Sequence, residues 1–122
     1  HEDVAYLPWS PLAGGALTGK YLGGERPAGT RWSMLQRNGL FRDTAQSNQA
    51  IAAFIELATA HNVAPAQLAL AWVNQVEGVT STLIGATSMA QLQQNIAAFS
   101  MPLTPQLQED LAQFLRQYPA PF

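Results

Sequence analysis

Only two short stretches of this chain resemble β-strands, and helical segments separate them. The first, at about 4–8, is apolar and ends at a proline, and the second, at about 80–85, is β-branched and closes at a glycine. Strands that alternate with helices predict a parallel sheet, and such strands normally have both faces covered. Two strands do not complete such a sheet. The pattern therefore predicts an α/β fold of which this chain supplies only part.

Two architectures fit this pattern. A quarter of an eight-stranded (β/α)8 TIM barrel fits best, and the edge of a doubly wound sheet is the second choice. Residues 1–122 are therefore interpreted as an incomplete segment of one domain. We expect the upstream part of the same domain to cover its open side.

The helices are predicted from apolar spacing and capping residues. One spans residues 47–61 and stops at Asn62, a second begins at Pro65 and ends by Gly78, a third follows Ser88, and a fourth follows Thr104. The second carries apolar residues on several sides and should be buried on more than one of them. Along the third, one face carries Met89, Leu92, Ile96 and Phe99; along the fourth, the inward residues are Leu107, Leu111, Phe114 and Leu115.

The charge content limits the classes of function. A net charge of −2 with no basic run argues against nucleic-acid partners, no apolar run is long enough for a membrane helix, and the lack of cysteine excludes thiolate metal sites. Charged residues are 11% of the chain, against about 25% in a typical soluble domain. Either this segment buries much of its surface against other protein, or it is an Ala/Gln-rich helical domain with a neutral amide surface.

Two stretches have the chemistry of a phosphate site. Residues 9–20 follow a strand, are rich in glycine and end at Lys20, although their spacing is not that of a Walker loop. Residues 85–88 lie between a strand and a capped helix, whose N-terminus can hold an anion. Taken singly, each is explained more simply as a plain surface loop or an ordinary helix cap. In a barrel, however, both would lie at the C-terminal ends of their strands and share one face.

Three motifs, in this order, resemble aldo-keto reductases, and within them the branch of bacterial oxidoreductases and potassium-channel β subunits. The motifs are Trp9-Ser10-Pro11-Leu12 with Thr18-Gly19-Lys20-Tyr21; Pro65-Ala66-Gln67-Leu68-Ala69-Leu70-Ala71-Trp72; and Leu83-Ile84-Gly85-Ala86-Thr87-Ser88 with Gln91-Leu92 and Asn95. The resemblance implies a barrel of which this chain is the C-terminal segment, with the last two strands, their helices and a C-terminal extra helix.

The resemblance also implies NADPH as the cofactor and assigns roles in the first loop. Trp9 would stack on the nicotinamide, and Lys20 would supply a cation to the phosphates. Arg31 would supply another from a loop folded over the cofactor, with Arg26 as the substitute candidate. The pyrophosphate would be lined by Ser10, Pro11, Leu12, Ala13 and Gly14.

In the second stretch the resemblance assigns the adenosine end of the cofactor. Gly85 and Thr87 would approach the adenosine phosphate, and Gln94 and Asn95 would bond the adenine edge. Gln91 occupies a position where many relatives grip the 2′-phosphate with arginine, so the preference for NADPH over NADH stays open. No catalytic residue is assigned here, because the family's tyrosine, lysine, aspartate and histidine lie upstream of residue 1.

The leading hypothesis is therefore the cofactor-binding part of a cytoplasmic reductase that acts on small aldehyde or ketone substrates, with the isolated chain inactive. A regulatory module that holds a nucleotide without turnover is the second hypothesis, and a helical interaction domain without a ligand is the third. The substrate does not follow from the sequence, since Trp32, Met34 and Phe41 are not diagnostic.

Overall fold

The computed structural model describes residues 4–34 and 44–119. Phe41 lies outside the described residues. The described part contains three short 3₁₀ segments and four α-helices. In chain order these are the 3₁₀ segments Ala13–Thr18, Leu22–Gly24 and Arg31–Ser33, followed by α1 (Ala45–Ala60), α2 (Pro65–Gln75), α3 (Met89–Ala98) and α4 (Pro105–Gln117).

Helix α1 begins earlier than predicted, because its cap is Thr44. The Thr44 hydroxyl accepts from the Ser47 amide at 3.0 Å, and the Ser47 hydroxyl accepts from the Thr44 amide at 2.9 Å. This reciprocal capping box satisfies donors that the first turn leaves open, so Ser47 lies inside the helix. The predicted stop at Asn62 is confirmed: Asn62 has a positive φ of 54°, and the Val63 amide donates back to the Ala58 carbonyl.

Helix α2 begins at Pro65, as predicted, and is buried on more than one side. Four consecutive residues are buried, Leu68, Ala69, Leu70 and Ala71, so they cover more than half a turn. The helix ends at Gln75, before the predicted limit at Gly78. The tryptophan of its motif, Trp72, is 37% exposed.

Helix α3 packs against α2, and only part of its predicted apolar face is covered, since Leu92 and Phe99 are partly buried. Its buried residues are Asn95 and Ala98, whereas Met89 and Ile96 are 67% and 56% exposed. In the fourth helix, Leu107 and Leu111 are buried and Phe114 packs against the core, but Leu115 is 39% exposed, so the prediction that it points inward is wrong.

The main core lies among α1, α2 and α4. Phe54 of α1 meets Phe114 of α4 with ring centroids 5.8 Å apart, and Leu68 of α2 is fully buried beside them. A smaller cluster attaches the first loop to α1. It consists of Ala13, Ala16, Tyr21 and Ile51, with Leu17, Leu22, Trp32 and Ile55 packed against it.

The predicted strands at about 4–8 and 80–85 form one isolated parallel bridge, between Tyr6 and Val79. No longer strand is present in residues 4–34 or 44–119. In a regular parallel ladder the next bond would come from the amide of residue 8, but Pro8 has no N–H. The Pro8 carbonyl accepts from Leu83 rather than from Thr82, which breaks the register. The expectation of full strands is therefore corrected to one bridge and a displaced bond.

None of the helices in the described part of the chain is long and apolar enough to cross a bilayer.

Candidate cofactor site

Both predicted phosphate-binding stretches start from the same edge of the molecule. Tyr6 and Val79 pair in parallel, the Thr80 amide donates to the Tyr6 carbonyl at 2.9 Å, and the Leu83 amide donates to the Pro8 carbonyl at 2.9 Å. The residues that follow Pro8 and Leu83 open the two loops. Because paired segments run in the same direction, residues 9–20 and 84–88 leave the pair at one end.

The first loop has an unusual backbone for non-glycine residues. Ser10 and Ala13 have positive φ angles of 57° and 51°, and Gly14 and Gly15 follow with 67° and 100°. A left-handed conformation costs an L-residue roughly 1–2 kcal/mol, so the surrounding contacts must hold it in place. The Ala13 amide donates to the Ser10 carbonyl, the Gly15 amide donates to the Leu12 carbonyl, and Ala13 is buried against α1. The loop is therefore wound tightly and attached to the helical layer.

Lys20 lies back across this wound backbone. A Cβ atom built on Gly15 would be 2.9 Å from Lys20 Cε and 3.2 Å from Lys20 Nζ. The same ammonium group is 5.3 Å from the centre of the Tyr21 ring. The positive charge of Lys20 is thus held beside the glycine turn, while the side chain as a whole is exposed.

The second stretch holds Gln91 in a defined orientation. Its side-chain oxygen accepts from the Thr87 amide at 2.9 Å and from the Thr87 hydroxyl at 3.0 Å. A main-chain N–H only donates, so the atom facing it must be the oxygen of the Gln91 amide. The Gln91 NH2 group therefore points away from Thr87. Of the predicted capping box, the Ser88 half is confirmed, since the Ser88 hydroxyl accepts from the backbone N–H of Gln91 at 3.2 Å. The Gln91 side chain accepts from the amide of Thr87 and not from that of Ser88.

A comparison with family models identifies the family of the chain. The model of the Aldo/keto reductase family matches residues 1–116, which is nearly the whole chain. The chain belongs to the aldo/keto reductase family.

Individual members of that family match over almost the whole chain but over only part of their own length. Protein tas of Escherichia coli (strain K12) is 39% identical over 99% of this chain and 35% of its own length. A probable voltage-gated potassium channel subunit beta of Arabidopsis thaliana is 32% identical over 98% and 38%. L-glyceraldehyde 3-phosphate reductase of Escherichia coli O157:H7 is 34% identical over 82% and 30%. The chain spans about a third of the length of these relatives.

The structure brings some of the predicted cofactor-contacting residues together and leaves others apart. It brings Lys20 to the glycine turn and Thr87 to Gln91. It leaves Trp9 71% exposed, and Pro11 and Leu12 partly buried at the start of the loop.

The remaining predicted contacts lie farther along each segment. Gly85 and Gln94 are exposed, and the Gln94 carbonyl accepts from the Gln67 side chain at 3.1 Å. Asn95 is only 5% exposed on the packed side of α3, so its side chain is not presented on the open surface. Arg31 is exposed at the start of a 3₁₀ segment.

Two arrangements were missed in the sequence. The rings of Tyr21 and Trp32 stack with centroids 4.4 Å apart and planes 4° apart, and the Arg26 guanidinium carbon lies 5.0 Å from the Trp32 ring. Also, His61 donates to the Asp110 carboxylate at 2.7 Å, which joins the end of α1 to α4. The partners in each pair are far apart in sequence and follow no helical or strand periodicity. Only their residue types, aromatic in one pair and ionisable in the other, could have suggested an interaction.

The groups on this surface are suited to binding an anion. The surface presents a cation beside a tight glycine turn and an amide donor at the N-terminus of α3, and both groups suit anionic oxygens. Among residues 4–34 and 44–119, no group of His, Cys, Asp or Glu is arranged to hold a metal ion.

Proposed function

We propose that this chain is the C-terminal, cofactor-binding part of an NADPH-dependent aldo-keto reductase that reduces aldehyde and ketone carbonyls to alcohols. In this proposal residues 1–122 supply the last two strands of a (β/α)8 barrel, with their helices and the extra helix α4. The observation that carries it is the parallel pairing of residues 6–8 with 79–83, since this pairing starts both loops from one edge.

The residues present fit the phosphates of a dinucleotide. The Gly14–Gly15 turn has no side chains to obstruct a pyrophosphate, and Lys20 adds a positive charge beside it. At the other stretch the Gln91 NH2 group is a donor without a formal charge. It can donate to a 2′-phosphate or to a 2′-hydroxyl, so it supports NADPH less strongly than an arginine would.

In the proposed reaction the bound cofactor supplies a hydride to the carbonyl carbon of the substrate. The chain's own contribution is to hold and orient the cofactor. The indole ring of Trp9 is exposed at the start of the loop, where it can stack on a flat ring and leave only one face open. The proton for the carbonyl oxygen comes from the catalytic tyrosine that we place upstream of residue 1, outside this chain.

The exposed apolar residues around the bridge support a covering partner, which we take to be the upstream part of the same barrel. Tyr6, Leu7 and Leu83 are between 47% and 60% exposed, and Val4 is 74% exposed. In a closed barrel these positions would contact neighbouring strands, and the cost of exposing them would be removed. We place the whole protein in the cytoplasm.

The test is the affinity for NADPH of the full-length gene product with Lys20→Ala. We expect the dissociation constant to rise about ten-fold or more, because a charge-assisted phosphate contact is lost. Hydride transfer in a single turnover at saturating NADPH should change far less. Arg116→Ala is the matched control, since Arg116 is an exposed cation on α4 that pairs with Glu109 at 3.3 Å. We call the Gly14–Gly15 turn together with Lys20 the phosphate cradle. An unchanged dissociation constant for Lys20→Ala would refute the assignment of this cradle to the cofactor phosphates.

The fragment itself offers a second test. Purified residues 1–122, free of host reductases, should show no carbonyl-dependent oxidation of NADPH, because the catalytic groups are assigned upstream. Turnover by the fragment would overturn that assignment.

A second candidate function is a nucleotide-holding regulatory module, and it is favoured by the similarity to a probable voltage-gated potassium channel subunit beta. A full-length product that binds NADPH tightly, yet oxidises none of it with a panel of aldehydes and ketones, would select this candidate.

A further inference from the structure

The stacked rings of Tyr21 and Trp32 close a loop that has few contacts of its own. Tyr21 is 2% exposed, and its hydroxyl oxygen accepts from the Trp32 amide at 3.4 Å. Between the two rings, residues 23–29 are all exposed. Cβ atoms built on Gly23, Gly24 and Gly29 would meet nothing within 4 Å. The position of this loop therefore depends on the contact at its base.

The base of the loop is fixed to the helical layer. Tyr21 belongs to the small cluster that includes Ile51 of α1, and Trp32 and Ile55 pack against the same cluster. The stacking distance of 4.4 Å and the nearly parallel planes make this a close contact of two flat surfaces. Both ends of the loop are thus held against α1, while residues 23–29 between them are exposed.

Arg26 lies beside the two stacked rings, within 6 Å of both centroids. Its guanidinium carbon lies 5.0 Å from the Trp32 ring and 5.9 Å from the Tyr21 ring, and its Nη1 donates to the Glu25 carbonyl at 2.7 Å. A cation over two aromatic faces is attracted by both. The middle of the loop is in this way folded back over its own base.

The same Tyr21 ring touches the proposed phosphate cradle. Lys20 Nζ lies 5.3 Å from its centre, and the Tyr21 Cε2 atom is 3.3 Å from a Cβ built on Gly15. The Tyr21 ring therefore links the aromatic stack directly to the glycine turn and to the Lys20 ammonium group. Arg31, which directly precedes Trp32, is held at the far end of the loop by the same stack.

We infer that Trp32 is a positioning residue: its stack on Tyr21 latches residues 22–31 beside the phosphate cradle and slows release of the bound dinucleotide. This inference rests on the proposed function, since it needs a dinucleotide at the cradle. Trp32 acts through Tyr21 and the loop, and no contact of its own with the cofactor is required. The cradle supplies affinity, and the latch sets how long the cofactor stays.

The experiment measures the rate constant of NADPH release from the full-length gene product by stopped flow, for the wild type, Trp32→Leu and Trp32→Phe. Trp32→Leu keeps bulk but removes the ring, so release should accelerate about three- to ten-fold. Trp32→Phe keeps an aromatic face and should stay close to the wild type. Hydride transfer at saturating NADPH should be unchanged in both, which a general loss of structure would not allow.

Two controls separate the possible outcomes. Trp72→Leu makes the same change on α2, away from the loop, and should leave release unchanged. In the cofactor-free protein, a glutamate-specific protease should cut after the exposed Glu25 faster in Trp32→Leu than in the wild type, because the loop opens without its latch. This second readout needs no cofactor.

Each contrary result has a distinct meaning. Normal NADPH binding with an unchanged release rate in Trp32→Leu overturns the latch alone and leaves the proposed function standing. Equal acceleration in Trp32→Leu and Trp72→Leu also overturns it, since the effect would then be general. A wild type that does not bind NADPH overturns the proposed function and the latch together.

Discussion

The helical layer and the bridge region of this chain bury their apolar residues to very different extents. In α1, α2 and α4, residues such as Phe54, Leu68 and Leu107 are at most 5% exposed. Around the bridge, Tyr6 and Leu83 are more than half exposed. Helices bond their own backbones and need only one packed face, whereas a parallel strand needs neighbours on both sides. The contrast separates the helical layer, which packs on itself, from the bridge region, which further strands would cover in the proposed barrel.

The difference between the two regions bears on the low charge content of the chain. With charged residues at 11%, the sequence left two explanations open, a covered surface or a neutral amide surface. Several exposed apolar residues form a group around the bridge, and two, Met89 and Ile96, lie on one face of α3, whereas others such as Trp72 and Leu115 are scattered. A gathered apolar surface favours the first explanation, because scattered apolar residues need no partner.

The largest effect is expected at the centre of the helical layer. Leu68→Ala should lower the free energy of unfolding of the full-length product by about 3 kcal/mol, because it leaves a cavity in a core where Leu68 is fully buried. Leu115→Ala is the matched control: the same change on α4, at a position 39% exposed, should cost about 1 kcal/mol or less. Urea unfolding measures both. Similar losses at the two positions would mean that the helical layer is not the independently packed region.

The next effect tests the other side of the comparison. Leu83 is 51% exposed in this chain, but in the proposed barrel it is covered. Leu83→Ala should then cost about 2 kcal/mol in the full-length product, well above the Leu115→Ala control. A loss of only about 0.5 kcal/mol, as at an ordinary surface position, would mean that the bridge region is a true surface.

The features that could be predicted from the sequence lie mainly at the ends of the helices. The stop at Asn62, the start at Pro65 and the cap at Thr104 were all predicted, because each depends on one residue and its own backbone. The start of α1 was misplaced, since Thr44 and Ser47 are both good caps and only the reciprocal bonds decide between them.

The remaining misses depend on contacts between distant residues. The packing of α3 on α2 buries Asn95 and Ala98 and leaves Met89 and Ile96 exposed, which apolar spacing alone did not predict. The ladder fails at Pro8, which the sequence showed as the end of a strand but not as the missing donor opposite residue 80. In the candidate site, the residue types at Lys20 and Gln91 pointed to phosphate contacts, but the hydrogen bond from Thr87 that orients the Gln91 side-chain amide could not be predicted.

A smaller effect is expected at that bond, in the region that faces the proposed cofactor. Thr87→Val removes the hydroxyl that helps to hold the Gln91 oxygen, and should weaken NADPH binding about three-fold while NADH binding changes less. Thr87→Ser keeps the hydroxyl and should restore the wild-type ratio. Thr59→Val, which removes a hydroxyl bonded to the Ile55 carbonyl on α1, should leave the ratio unchanged. If Thr87→Val weakened the binding of NADPH and of NADH equally, Thr87 would not contribute to the preference between these two cofactors.

The smallest effect lies wholly inside the helical layer, where His61 at the end of α1 meets Asp110 of α4 at 2.7 Å. The hydrogen bonds from His61 and then from Gln106 lower the pKa of the Asp110 carboxyl from its ordinary value of 3.8. Because the folded pKa is below the unfolded one, the stabilisation is present above the unfolded pKa and is lost as the pH falls through the folded pKa. Asp110→Asn should therefore lower the free energy of unfolding at about pH 6 and converge with the wild type towards about pH 3. Glu109→Gln, on the same helix and paired with an exposed arginine, should show a smaller difference over the same range. A constant gap between wild type and Asp110→Asn at every pH would mean that shape, rather than the ionised pair, joins α4 to α1.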